Sequence, residues 1–222
     1  VPAAYATFAS RIGKKFSYKV GLRGEFSTVT LHSNHDAIEE RNNSFFFAPS
    51  LSGTYKLADN QDLSLALSRR IGRPTYPQLI PYMSMVDATT YEQGNMHLAP
   101  EKATKVDLSY NFSSQAVNLF VNGYLSHTTD YISQMTKMDN ERLITTYANA
   151  DSDIKTGVDV SLKVTPAKWM NFSVGANTYY VTTDGVFEGM KSIQIIENGD
   201  IYIGVEAFFE CDNSRARILY KI

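Results

Sequence analysis

Long stretches of this sequence alternate between apolar and polar residues. A period of two held over a dozen residues leaves little choice besides an extended strand with one face in an apolar medium. From Phe16, the run FSYKVGLRGEF sets Phe16, Tyr18, Val20, Leu22 and Phe26 on one face and Ser17, Lys19, Gly21, Arg23 and Glu25 on the other. A helix would scatter both sets around its circumference. Leu63, Leu65 and Leu67 alternate in the same way with Ser64, Ala66 and Ser68, and Val106, Leu108, Tyr110 and Phe112 with Lys105, Asp107, Ser109 and Asn111. Ile154, Val158, Val160, Leu162 and Val164 oppose Asp153, Lys155, Asp159, Ser161 and Lys163. Together with the segments around Leu51, Val121 and Val174 and the opening YATFASRI, the pattern predicts about eight strands.

The connections sort by length. Short turns fall at Gly13–Lys15, Ala58–Gln61, Ser113–Gln115 and Thr165–Lys168, and long polar links at Val29–Ser44, Ile71–Lys102 and Thr128–Ala150. Successive antiparallel strands then place every short turn at one end and every long link at the other, which is the habit of a membrane barrel. The segments Phe16–Thr28, Phe45–Leu57 and Asp151–Val164 are long beside ordinary strands of about five or six residues, and long enough for the roughly 9–11 that cross a bilayer. The fold expected is therefore all-β, an antiparallel up-and-down meander of long strands forming a section of a transmembrane β-barrel. A small closed barrel or a sandwich is the alternative if the chain folds alone, since about eight strands can close a barrel. Residues 1–185 carry the barrel segment. Residues 186–222 read as a β-hairpin, Ser192–Ile196 and Ile201–Phe209 around a turn at Glu197–Asp200, followed by a tail.

Composition narrows the function. Lys and Arg number 21 against 23 Asp and Glu, without the basic excess of a nucleic-acid binder. The single Cys211 allows no disulfide framework or Cys-rich metal site. His32 and His35 with Asp36, Glu39 and Glu40 could touch a metal, but a solvated polar loop explains them equally well, so neither metal nor cofactor is expected. No G-x-S-x-G, H-E-x-x-H or P-loop occurs, and no enzyme is expected. Fourteen Tyr and 12 Phe suit the aromatic girdles of a barrel, with Tyr5, Tyr18, Tyr55, Tyr110, Trp169 and Tyr180 as candidates.

Several ordered pieces carry a resemblance. Gly21, Leu22 and Arg23 are followed by Pro49 and Ser50, then Arg73 and Pro74, then Gly94, Asn95, Leu98, Pro100 and Glu101. In this order and spacing, the run from about Ala3 to Gly185 resembles the outer-membrane β-barrel domain of Bacteroidetes-type TonB-dependent receptors. Ile80 before Pro81 and Met96 after Asn95 depart from the residues the family often carries there. The resemblance implies a receptor in the outer membrane of a Gram-negative bacterium, surrounded by outer-membrane lipid and importing an unidentified small-molecule or glycan substrate. It also implies a larger barrel around an N-terminal plug, so the chain reads as a section lacking the plug domain and the remaining barrel strands. TonB would be met only through the missing part. The second functional reading is a non-transporting surface barrel with a structural or adhesive ligand-binding role.

Two groups of candidate site residues follow. Arg69, Arg70 and Arg73 with Tyr76 form a weak ligand-binding candidate at the rim or lumen, offering charged hydrogen bonds to an anion or a lipopolysaccharide phosphate. The plainer reading turns Arg70 into the lumen and leaves Pro74, Pro77 and Pro81 to set an extended rim loop. Lys19, Arg23, Glu25, Lys105, Asp107, Asp153, Lys155, Asp159 and Lys163 form a luminal charged lattice, which in a complete receptor would touch the plug.

Overall fold

In a computed structural model of the chain, residues 2–32, 39–139, 142–167, 170–187 and 190–207 are described. The strands are β1 (Ala3–Ile12), β2 (Phe16–His32), β3 (Glu39–Ala58), β4 (Gln61–Gly72), β5 (Met83–Met85), β6 (Thr90–Gln93), β7 (Glu101–Ser113), β8 (Val117–Asp139), β9 (Arg142–Ala167), β10 (Met170–Phe187) and β11 (Met190–Ala207). One short helix, α1 (Tyr76–Leu79), precedes β5. The main path through the sheet is β1-β2-β3-β4-β7-β8-β9-β10-β11, with every neighbouring pair antiparallel. Among the described residues, β1 and β11 do not pair with each other and no second sheet packs on the first. The sheet is a section of barrel wall, neither a closed small barrel nor a sandwich.

Register turns the alternation into two continuous faces. Residues directly opposite in an antiparallel pair share a face. One row runs Leu65, Leu108, Gly123, Val158 and Thr178; the adjacent row on the other face runs Ala66, Asp107, Tyr124, Gly157 and Tyr179. Burial is inverted relative to a water-soluble protein. Leu65 and Leu108 are each 52 % exposed, whereas Glu25, Ser27, Asn122, Thr128, Asp153 and Thr183 are buried. Such a sheet belongs in lipid on its apolar face, where the ladder satisfies the backbone polar groups.

The short turns at Gly13–Lys15, Ala58–Gln61 and Ser113–Gln115 fall where expected, whereas at Thr165–Lys168 the residues Thr165–Ala167 still belong to β9 and Lys168 lies outside the described residues. Gly13 takes a positive φ of 63° between Ile12 and Phe16, which pair; the left-handed region is open to glycine at little cost. Ser114 closes the β7–β8 turn, its N–H reaching Val117 O at 2.8 Å and its hydroxyl accepting Val117 N–H at 3.0 Å.

Three further connections differ from the sequence reading. Val29–Ser44 and Thr128–Ala150 are largely strand, because β2 pairs with β3 out to His32↔Glu39 and β8 with β9 out to Asp139↔Arg142. Their polar residues signalled a loop, yet a hairpin rising above a membrane needs no apolar face. β11 also runs unbroken through Glu197–Asp200, where a turn was expected. There Glu197 pairs with Tyr180 and Asp200 with Asn177, so β10 templates an extended backbone over residues with turn propensity. His35, Asp36, Trp169 and Cys211 lie outside the described residues.

The face assignment has a direct test in the complete barrel. Leu65→Arg places a cation against lipid and should destabilise by about 2–4 kcal/mol if Leu65 sits near mid-depth. Ser109→Arg, on the polar face, should cost far less in the same urea titration in lipid vesicles. Equal losses would contradict the two-face arrangement.

Candidate functional site

The polar face gathers the charged lattice. Register places Lys19, Arg23 and Glu25 of β2, Lys105 and Asp107 of β7, and Asp153, Lys155, Asp159 and Lys163 of β9 on one side of the sheet. The acids are met by neutral donors as well as by cations. Lys105 Nζ lies 2.7 Å from Asp107, which also accepts from Asn122 Nδ2 at 3.4 Å. Thr183 donates to Asp153 at 2.6 Å, and Asn177 donates to Asp159. Lys155 lies 3.9 Å from the centroid of the Tyr179 ring, and Lys105 5.0 Å from that of Tyr124, geometries in which a ring face attracts a cation. Gly157 makes room for Tyr124, since a Cβ there would stand 2.6 Å from its hydroxyl. Charge counting along the sequence passed over these Asn, Thr, Tyr and Gly positions, although each occupies the polar phase of its strand.

At the end of the sheet opposite the short turns, residues 73–101 fold into a fixed unit. Arg73 Nη2 lies 2.5 Å from Glu25 Oε2, while Arg23 Nε lies 2.5 Å from Glu25 Oε1. One buried carboxylate therefore holds two guanidiniums, and joins the segment after β4 to β2. Gln78 accepts the Thr75 N–H at 2.8 Å at the start of α1, satisfying one of the free amides of a helix N-terminus. The chain then returns as β6 and pairs in parallel with β9 through Thr90↔Leu143, Tyr91↔Ile144 and Glu92↔Thr145. This is possible because β10 leaves β9 beyond Asp184↔Ser152, freeing the edge of β9.

Side-chain bonds complete the attachment. Asn149 Oδ1 accepts Ala99 N–H at 2.8 Å, and its Nδ2 donates to Ala99 O at 2.9 Å and Asp130 O at 2.6 Å. Asn95 Nδ2 donates to Tyr147 O at 3.0 Å, and Tyr147 Oη to Glu92 at 2.9 Å. A Cβ on Gly94 would approach Ile80 O to 2.6 Å, so only glycine fits this crossing. Among the described residues Glu101 meets no arginine; its Oε2 accepts Ile132 N–H at 3.3 Å. Leu79, Leu98, Ile144 and Ala150, four of the five buried apolar residues among those described, belong to this unit and its support on β9. The Arg-Pro and Gly-Asn…Leu-x-Pro-Glu pieces of the sequence thus lie together in the rim attachment.

The four weak ligand-binding candidates occupy different settings. Arg69 lies 5.5 Å from the centroid of the Phe46 ring, Arg73 is held by Glu25, and Arg70 stands on the polar face opposite Ala103. Tyr76 is exposed at the first position of α1. Beyond it, Tyr82, Met83, Met85 and Val86 form an exposed apolar tip. Among the described residues, no group of three or more His, Cys, Asp or Glu is placed to hold a metal.

Two outcomes test the unit. Asn149→Leu removes all three amide bonds, so Ala99 N–H should exchange with solvent at least tenfold faster while amides in the middle of β9 keep their protection; unchanged exchange at Ala99 would refute the latch. At the tip, Thr89 N–H bonds to Asp87 at 2.9 Å and Thr90 N–H at 2.8 Å. These bonds, with the threonine hydroxyls, hold the Asp87 carboxyl below its ordinary 3.8. A depressed folded value means the turn is supported above 3.8 and loses that support as pH falls through the folded pKa. The Thr89 and Thr90 amide shifts should therefore titrate together with a midpoint below 3.8, and Asp87→Asn should abolish that titration.

A family model described as the outer membrane protein beta-barrel family matches residues 1–213. No curated protein matches the sequence. Among solved structures, the siderophore receptor PirA from Pseudomonas aeruginosa is similar at 16% identity with a TM-score of 0.64, covering 95% of this chain and 42% of that one. The copper transporter OprC is 12% identical with a TM-score of 0.62, over 92% of this chain and 39% of its own. The FrpB iron transporter from Neisseria meningitidis is 13% identical with a TM-score of 0.57, over 93% and 32%. At such identities the likeness is one of fold. The chain spans less than half the length of these structures.

Proposed function

Because the chain belongs to the outer membrane protein beta-barrel family, and so lies in the outer membrane of a Gram-negative bacterium, we propose that it is part of a TonB-dependent receptor for nutrient uptake. The observation carrying this reading is a wall with a lipid-facing apolar side and a charged, hydrogen-bonded inner side, left open at β1 and β11 among the described residues. The likeness to receptor and transporter barrels more than twice its length supports further strands beyond both open edges. The polar lattice would face a plug domain in the lumen, and TonB would act through parts outside these residues. The substrate is a small molecule or glycan drawn past the rim unit, and the chain carries out no catalysis of its own. The finer reading, a barrel of the Bacteroidetes type, rests on the ordered pieces from Gly21 to Glu101; the receptors of known organism compared above come from Pseudomonas and Neisseria.

The mass of the mature protein in its native outer membrane tests this. It should exceed twice that of the 222 residues, with a plug domain in the additional sequence. A mature protein of about this length, or a larger one with no plug, would sink energised import and leave the structural or adhesive barrel.

A further inference from the structure

The wall parts into two leaves at one seam. The β3–β4 ladder ends at Ser50↔Ser68. Beyond it β3 extends to Glu39, still paired with β2, and β4 to Gly72, still paired with β7. Lys56 N–H donates to Lys15 O, and Ser113 N–H to Asn60 O. Backbone groups alternate sides along an antiparallel strand, so the odd-numbered residues of β3 and β4 turn theirs toward each other. The same register continued would pair Pro49 with Arg69 and Phe47 with Ile71. Pro49 has no N–H to give, so the ladder is short of a bond at the first hydrogen-bonding position beyond Leu51↔Leu67.

Toward the rim the leaves overlap. Arg69 shares the lipid side of β4 with Leu65 and Leu67 by register. Its guanidinium nevertheless lies 5.5 Å from the centroid of the Phe46 ring, which belongs to the polar side of β3, opposite Glu25. The rim end of β4 therefore stands inward of β3, where Glu25 and Phe46 are buried. Glu25 clasps the overlap by holding Arg73 as well as Arg23. Ser50 fixes the pivot, its hydroxyl donating to Gly21 O at 3.4 Å. Three of the four ordered sequence pieces thus converge here: Gly21 to Arg23, Pro49 with Ser50, and Arg73 with Pro74. The fourth is coupled through Glu101, since a Cβ on Gly72 would stand 2.5 Å from its carboxylate.

Clasp and ladder exclude each other. The continued register sets Arg73 opposite Phe45, which faces lipid with Phe26, whereas Glu25 lies on the polar side. Each arrangement leaves something unmet. The clasped one buries Arg73 Nε without a partner among the described residues and leaves two facing strand edges unzipped. The zipped one gives up the ion pair.

We propose that the β3–β4 seam is a two-position hinge for the rim unit. In one position Glu25 and Arg73 clasp the unit over the polar face; in the other, pairing of Pro49 with Arg69 and Phe47 with Ile71 withdraws it and widens the mouth. The root of the unit on β4 and its support on β9 belong to one leaf, so the unit moves with that leaf. The hinge is a property of the wall and stands apart from the uptake reading.

Disulfide trapping tests it, in the complete receptor in lipid vesicles, freed of other cysteines and oxidised with copper phenanthroline. Hydrogen-bonded antiparallel partners have Cα atoms about 5.5 Å apart, within reach of a disulfide. The pair Phe47→Cys/Ile71→Cys should cross-link slowly in the otherwise natural protein. It should do so about tenfold faster with Glu25→Gln or Arg73→Gln, each of which removes a charged hydrogen bond. Pro49→Ala restores the missing N–H and should act in the same direction with the clasp intact, which keeps the test decisive if a clasp variant does not fold. Leu51→Cys/Leu67→Cys should cross-link alike in every variant and reports folding, while the out-of-register pair Phe45→Cys/Ile71→Cys should stay slow. Equal rates for Phe47→Cys/Ile71→Cys in the natural and altered seams would overturn the hinge. Equal acceleration of the out-of-register pair would overturn it too, because that is fraying and not zipping.

Discussion

A polypeptide exposed to hydrocarbon has no water to bond its amides and carbonyls, so each must find its partner within the protein. The β1–β4 and β7–β11 ladder meets that demand across the described wall. Every other property follows from it. The register that pairs Leu65 with Leu108 on the lipid side also pairs Ala66 with Asp107 on the other, so satisfying the backbone simultaneously assembles the inner polar lattice. That lattice needs few direct ion pairs because neutral side chains such as Asn122, Asn177 and Thr183 share the carboxylates. Among the described residues the wall is open at β1 and β11, whose outer backbone groups find no partner in the ladder.

Beyond the lipid, water can satisfy the backbone and the constraint relaxes. Here the chain departs from a simple meander. β6 caps the edge of β9 that β10 vacates, and Asn149 and Asn95 replace ladder bonds with side-chain bonds to backbone. Asp130, at a φ of 56°, and Asp151 across from it drop out of the β8–β9 pairing between Thr129↔Ser152 and Tyr131↔Ala150. The Asp130 carbonyl instead accepts from Asn149. The interruption adds no residue to either strand, and the register runs on unchanged beyond it. The rim is consequently a built surface held at fixed height over the polar face, and Arg73 and Glu25 tie its first residue to β2.

Much of the wall was legible residue by residue. Phe16 to Glu25 declared both faces of β2, and the turns at Gly13–Lys15 and Ser113–Gln115 declared where β2 begins and where β7 ends, because alternation and turn chemistry are local. Less of the rim could be read. Gly94, Asn95 and Glu101 were visible as pieces of a familiar order, but their partners, Ile80, Tyr147 and Ile132, were not, since no short-range pattern records which distant backbone an amide will meet. The weak site suffered from the same limit: proximity in RRIGR suggested one cationic cluster, whereas Arg69, Arg70 and Arg73 meet Phe46, the open polar face and Glu25 respectively.

What the sequence determined by itself is the side of the sheet each strand residue takes, and with it a wall between lipid and a polar interior. Period two is a property of one strand's geometry, and contact with the rest of the chain does not alter it. Only the tertiary structure decided how far the hairpins rise above the membrane, that β6 joins β9 in parallel some fifty residues away, and which charges remain free once Glu25 has taken its two arginines. Those outcomes depend on register and on edges left open by other strands, and both exist only once the sheet has formed.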